Sequence, residues 1–411
     1  MKICLLCYRG KPNCGGQGVY IYYLSRELAS LGHEVHVISG PPYPVVEKGV
    51  TLHKVSSLTL YDLDTRFPKN LPRKPTPLNI YEYGAVCLGL FPEPFTFSVR
   101  AFMKLRELQR HHKFDIIHDN QGLGYGMLLM KRFLRVPVVA TIHHPITVDR
   151  DTDIAAAPNW RRRFRLKLWY SFLGMQGFLS RRMDRVITVS HSSAIDIERA
   201  FRVPAEKIRV VHNGTDGNLF KPNMDVKKEP HSIITVNSGD SPIKGAIYLL
   251  QALQMLRNGT QPKLTIVGCA EPEGRNVKMV REYGLEDVVT FTGRIDDDEL
   301  VARYSASEVA VVPSLYEGFG FPAAEAMACG VPVIASRAGA LPEVMGEDSK
   351  TGLSVPPADA QALAVAIKHL LDDDHLRKKM GEAGRKRVEE YFNWRRAAEQ
   401  TVKVYEELLE C

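Results

Sequence analysis

Cysteine is scarce: seven residues, an odd number, with one CxxC spacing at Cys4 and Cys7 and no second pair to complete a zinc site. On a strand those two thiols point to opposite faces, which suits core positions in a reducing compartment better than a disulfide or a metal. Long apolar runs are missing too. No stretch approaches the roughly 20 residues a membrane span needs. The opening "MKICLLCYRG" starts directly on a strand-like run without signal-peptide architecture, so a cytoplasmic location is expected. There is no internal repeat or low-complexity tract, and no nucleic-acid-binding motif, so nucleic acid is not an expected partner. What remains is a soluble globular composition, 45% apolar and 25% charged, with a net charge of +7. That charge favours anionic partners: nucleotides, phosphorylated substrates or an acidic membrane surface.

At 411 residues the chain suits two domains of about 200 each. The first half alternates strand-like runs ("KICLLCY", "HEVHVISG", "FDIIHDN", "VPVVATIHH", "RVITVSHSS") with helix-like segments such as "GVYIYYLSRELASLG". This order predicts a parallel sheet covered by helices on both faces, an α/β doubly wound domain. A polar, proline-punctuated stretch at 218–231 reads as a linker. Five more strands follow in "HSIITVNSG", "PKLTIVGCA", "VVTFTGRI", "EVAVVPS" and "VPVIAS". The expected domains are therefore 1–217 and 232–392, with an amphipathic helix at 393–411 packing back on the first. Residues 43–97 are rich in proline and aromatics and fit poorly. They read either as an insertion lining the mouth of a ligand cleft or as an ordinary packed loop.

The stretch "SLYEGFGFPAAEAMACGVPV" (314–333) carries the clearest chemistry. "EVAVVPS" predicts a buried strand and "LYEGFGF" its carboxyl-end loop. Pro322 suits the first turn of a helix and Gly330 the position after its end, giving two turns from Pro322 to Cys329. The amino end of such a helix favours an anion, and Gly318 and Gly320 let a ligand approach bare backbone. Glu317 precedes the turn and Glu325 lies inside the helix. Carboxylates repel phosphate but accept hydrogen bonds from hydroxyls. The arrangement therefore suits a ligand with a diphosphate in the middle and hydroxyl-bearing rings at both ends, such as a nucleotide sugar. A loop glutamate and a solvated helix glutamate are the plainer alternative.

Here the chain resembles a known family. "EGFGFPAAE" is similar to the E-x7-E signature of retaining GT-B glycosyltransferases, family 4 (glycosyl transferases group 1). The likeness continues through "AMACGVPVIASRAGALPEVMGEDSKTGLSVPPAD" and extends to "PNCGGQGVYIYYLSRELASLGHEVHVISG", "VATIHH", "ITVSHSS" and "RVVHNG". It implies a GT-B fold, two Rossmann-like domains facing across a deep cleft. The donor nucleotide sugar would bind the second domain and a hydroxyl acceptor (lipid, sugar or small molecule) the first. By this resemblance Lys244 in "SPIKG" contacts the donor diphosphate, and Glu317, Gly318, Phe319, Gly320, Phe321 and Glu325 line the donor site. Gly15 and Gly16 form the glycine loop after the first strand, and His143 lies near the transferred sugar. Lys244, Glu317 and His143 are the expected catalytic residues. One departure stands out: where the family places an arginine ahead of the lysine, this chain has Ser238 and Gly239. Arg294 in "TGRI" is a candidate replacement.

Retention without an evident nucleophile points to front-face substitution, in which positioning and electrostatics supply the catalysis. No cofactor or metal is expected, and the "DLD" at 62–64 is read as incidental. The segment 159–185 interleaves arginines with Trp160, Phe164, Trp169, Tyr170 and Phe172. It reads as a helix lying on an anionic bilayer, which would make the protein peripheral to the membrane, or as one packed on its sheet with its arginines in water. A nucleotide-sugar epimerase of the same architecture, or a nucleotide-sugar-binding protein without transfer activity, are the competing functions.

Overall fold

The computed structural model describes residues 1–10, 16–58, 60, 76–237, 240–257, 259, 261–269 and 271–410. Two compact units emerge: residues 1–211 with 397–411, and residues 212–396.

The first unit is built on a parallel sheet of β1 (Lys2–Cys7), β2 (Glu34–Ser39), β3 (Val50–Lys54), β4 (Ile116–Asn120), β5 (Val138–Thr141), β6 (Arg185–Thr188) and β7 (Ile208–Val210). Their spatial order is β3-β2-β1-β4-β5-β6-β7. β4 and β5 are buried along their whole length, because helices cover both faces. Ile38, Phe97, Leu105, Ile117, Met127 and Ile197 belong to one continuous core. Cys4 and Cys7 are buried thiols without a disulfide. The C-terminal helix Trp394–Leu409 joins this unit from Ala397 onward: Tyr405 Oη lies 2.6 Å from His118 Nδ1, and Glu407 pairs with Arg185 and Arg209.

The segment 43–97 is more regular than its composition suggests. It supplies the edge strand β3 and the helix Pro77–Cys87, and it enters the helix Glu93–Leu108. Thr76 caps the former by accepting from the Asn79 amide at 3.2 Å, with Pro77 at the first helical position. A buried pair, Arg100 with Glu82 at 2.5 Å, ties the two helices together. The "DLD" at 62–64 lies outside the described residues.

In the second unit β8 (Ser232–Val236), β9 (Lys263–Val267), β10 (Val289–Phe291), β11 (Val309–Val312), β12 (Val333–Ser336) and β13 (Gly352–Val355) form a parallel sheet in the order β10-β9-β8-β11-β12-β13. β13 is one strand more than the sequence suggested; "GLSV" begins on glycine and is short. Residues 218–231 lie inside this unit. Phe220 is buried, Asn223 N donates to Ser305 Oγ at 3.0 Å, and Glu229 N donates to Ala306 O at 2.8 Å.

Each sheet runs outward in both directions from its first strand, so the order reverses between β1 and β4 and again between β8 and β11. At such a point consecutive loops leave to opposite sides and open a crevice at the carboxyl ends of the strands, where ligands bind. Among the described residues no helix is long and apolar enough to cross a membrane.

Candidate active site

The second unit brings Lys244 and Glu317 together at the β8/β11 reversal. Lys244 ends a single 3-10 turn, Pro242–Lys244, after β8, and Glu317 lies in the loop after β11. Its Nζ donates to Glu317 Oε1 at 2.7 Å, and Ser314 Oγ donates to the same oxygen at 2.7 Å. Glu317 is 9% exposed, and among the described residues its Oε2 has no hydrogen-bond partner.

Backbone contacts hold the two loops in place. Leu315 N donates to Ile243 O at 2.7 Å. Gly245, at φ +66°, lies so close to Pro313 that a Cβ would come 2.0 Å from its carbonyl oxygen. From the other side Ala340 N donates to Glu317 O at 2.9 Å, and Ser336 Oγ donates to Ser314 O. Gly339, at φ +55°, packs so close that a Cβ there would come 2.2 Å from Glu317 O. The turn after β12 is therefore a brace for Glu317, a role that its residues do not reveal in sequence.

The helix after the glutamate spans Phe321–Ala328, starting one residue before the expected proline. Gly320, at φ +101°, caps it. Its end is a Schellman motif: Gly330 N donates to Met327 O at 2.9 Å and Val331 N to Ala326 O at 3.0 Å, with Gly330 at φ +72°. Phe319 is buried and meets Phe321 edge-on at 5.2 Å between centroids, so its ring packs within the loop. Glu325 carries its carboxyl 3.5 Å from Tyr304 Oη, a long contact. Burial pushes this carboxyl up to about 7, and Asp297 adds to the rise.

Asn237, directly after β8, is a further candidate that carries no signal in the sequence. It is 3% exposed, and neither of its amide atoms has a partner among the described residues. Asp240 anchors the same loop, accepting from Arg275 N at 2.6 Å and Asn276 N at 3.2 Å. Ser238 lies outside the described residues. Arg294 is exposed after β10, on the edge strand two places from β8.

At the first unit's reversal, β4 ends in Asn120. Its Nδ2 donates to Gln17 O at 3.0 Å, which turns Oδ1 toward His143 Nε2 at 2.8 Å. The imidazole thus carries its proton on Nε2 and keeps a lone pair on Nδ1. Gln121 Oε1 accepts from His143 N at 2.9 Å, and the Tyr20 ring meets the imidazole edge-on at 4.9 Å. Burial drives His143 down to about 3, with His144 and His118 adding to the fall, so the ring is neutral at physiological pH. His144 turns elsewhere, to Asp149 at 3.0 Å. Gly16 opens the helix Gly16–Ser30, while Gly15 lies outside the described residues.

Similarity to known proteins covers the whole chain. Residues 14–218 match the model of Glycosyltransferase Family 4, and residues 220–387 that of Glycosyl transferases group 1. A protein of Mycolicibacterium hassiacum, "MMP alpha-(1->4)-mannosyltransferase", is 44% identical over 100% of this chain and 98% of its own. A "Glycogen synthase" of Mycobacterium tuberculosis is 27% identical over 98% of this chain and 94% of its own. Among solved structures, sucrose-phosphate synthase from Thermosynechococcus elongatus superposes with a TM-score of 0.76 at 26% identity, covering 100% of both chains. The chain belongs to the glycosyl transferases group 1, has the GT-B fold, and is a glycosyltransferase.

Proposed function

We propose that the protein is a retaining hexosyltransferase that moves a mannosyl unit from a UDP- or GDP-sugar to a sugar hydroxyl. The apposition of Lys244 and Glu317 at the β8/β11 reversal carries this reading. A cation and a carboxylate with one unpaired oxygen, on two adjoining loops, match the two ends of a glycosyl diphosphate: phosphate for Nζ, sugar hydroxyls for Oε2. Amides at the start of the helix Phe321–Ala328 would meet the groups between them, and Glu325 would accept from the ribose. The 44% identical relative, by its name, makes an α-(1→4) mannosyl link, which supports mannose and a carbohydrate acceptor.

In the reaction the bond between the anomeric carbon and the diphosphate oxygen breaks, and its electron pair stays on the leaving group. The acceptor oxygen bonds the carbon on the same face, and its proton passes to a departing phosphate oxygen. Lys244 stabilises the growing charge. Neutral His143 offers Nδ1 as an acceptor for a sugar hydroxyl. No step calls for a metal ion or cofactor. Asn237 and Lys244 share the diphosphate where Ser238 and Gly239 replace the family's arginine.

The helix Trp160–Trp169 supports a second contact. Trp160 and Phe164 are 72% and 57% exposed, amid exposed Arg161, Arg162, Arg163, Arg165 and Lys167. Trp169 and Phe172 pack inward on Phe91. Such a face suits a peripheral anionic membrane surface, and sedimentation with anionic vesicles at low salt tests it. For the reaction itself, the test is incubation with UDP-, GDP- and ADP-linked hexoses and short oligosaccharide acceptors, followed by NMR of the product anomer. An α-linked product from an α-linked donor supports retention. Isomerised donor without transfer, or an inverted product, overturns it.

A further inference from the structure

The first unit concentrates imidazoles at one edge of its sheet, in residues that the proposed reaction does not use. Glu34 and His36 are two apart on β2 and so share one face. His112, in the connection between the helix Glu93–Leu108 and β4, reaches the same place. His36 Nε2 lies 2.9 Å from Glu34 Oε1, and His112 Nδ1 lies 3.5 Å from that oxygen. One ligand atom from each of the three residues falls within 4.8 Å of the others.

We propose that Glu34 Oε1, His36 Nε2 and His112 Nδ1 form a three-ligand site for a divalent transition-metal ion of the zinc type. Two imidazoles and a carboxylate are a donor set such ions take, with a further position left to water. Ligand atoms around a tetrahedral ion with bonds of about 2.0–2.1 Å stand roughly 3.4 Å apart. The spacings here reach that with side-chain adjustments of about an ångström. His36 is 3% exposed, and its other nitrogen, Nδ1, lies 2.8 Å from His53 Nε2 on β3. With the proton on Nδ1 donated to His53, the Nε2 lone pair faces the site, the outer-shell arrangement that fixes a metal-binding tautomer. Lys2 Nζ holds the other carboxylate oxygen, Oε2, at 3.0 Å and leaves Oε1 free to ligate. The Phe114 ring, edge-on to His36 at 5.1 Å, keeps one side of the site apolar. The bound ion cross-links β2 to the segment before β4.

The test is titration of the full-length, chelator-stripped protein with Co2+, read by the visible d–d bands of a four-coordinate ion. Melting with and without Zn2+ is measured alongside. The wild type should take up one Co2+ with intense bands and melt higher with Zn2+. His112→Ala and Glu34→Gln should lose affinity by at least about tenfold, while the metal-free proteins melt as the wild type does. Exposed His111→Ala should bind as the wild type. Absence of four-coordinate bands in the wild type, or equal binding by the wild type and His112→Ala, overturns the site.

Discussion

Lys244 Nζ and Glu317 Oε1 stand 2.7 Å apart, so the cation expected to meet the donor phosphate is held by the carboxylate expected to meet the sugar. Binding of a nucleoside diphosphate must compete with that ion pair. Lys244→Met should lower kcat by on the order of 10²–10³. Glu317→Gln should lower turnover too, yet raise affinity for the free nucleoside diphosphate severalfold, since releasing a partly exposed pair is worth about 1 kcal/mol. Steady-state kinetics and calorimetric titration with UDP and GDP separate the two effects. A Gln variant that binds the diphosphate more weakly contradicts the assignment.

Gly339 braces Glu317 through a contact that no side chain can share. A Cβ there would meet Glu317 O at 2.2 Å on a left-handed backbone. Gly339→Ala should therefore destabilise the second unit by about 1–3 kcal/mol and reduce turnover even where the protein remains folded. Thermal melting together with activity at low temperature checks both parts. Unchanged turnover would show that the brace is dispensable.

The Glu325 carboxyl, raised to about 7 by burial, gives a stability signature with a definite sign. Below the ordinary carboxylate range the folded and unfolded chains both carry the proton. Between that range and about 7 only the folded chain does, so stability falls as pH rises through the window and is level above it. Glu325→Gln cannot ionise. It should melt with the wild type near pH 4 and above it near pH 8, by on the order of 1–3 kcal/mol. Melting curves across that range decide; a variant less stable than the wild type at pH 8 counts against a buried, proton-hungry carboxyl.

Neutral His143 predicts a rate profile without an acid limb from this residue between pH 5 and 8, because burial holds its titration at about 3. Asn120→Asp would set a carboxylate 2.8 Å from Nε2, in place of the amide oxygen now there. That raises the imidazole's pKa and brings in an acid limb as protonation removes the Nδ1 acceptor. The pH dependence of kcat for both proteins is the measurement. Identical profiles would remove His143 from the reaction.

Much of the fold was legible because buried parallel strands read as apolar runs and the caps are local. "KICLLC", "VAVV" and "VIAS" stand where the runs placed them, and Gly330 closes the helix begun near Pro322. β3 and β13 escaped because four or five residues at a sheet edge carry too little pattern. Glu317 and Lys244 stood out as candidates in the sequence, but their apposition did not. It depends on Leu315 reaching Ile243 and on Gly245 lying against Pro313, contacts between segments about 70 residues apart. Asn120 and Asn237 carry no signal in the sequence, since orientation and missing partners appear only once the chain is folded.

The account is tested most directly by a structure of the protein with a nucleotide sugar bound. Diphosphate oxygens within hydrogen-bond reach of Lys244 Nζ, sugar hydroxyls on Glu317 and ribose hydroxyls on Glu325 are the expected result. A nucleotide seated away from the β8/β11 reversal, with the Lys244–Glu317 pair intact, would contradict it.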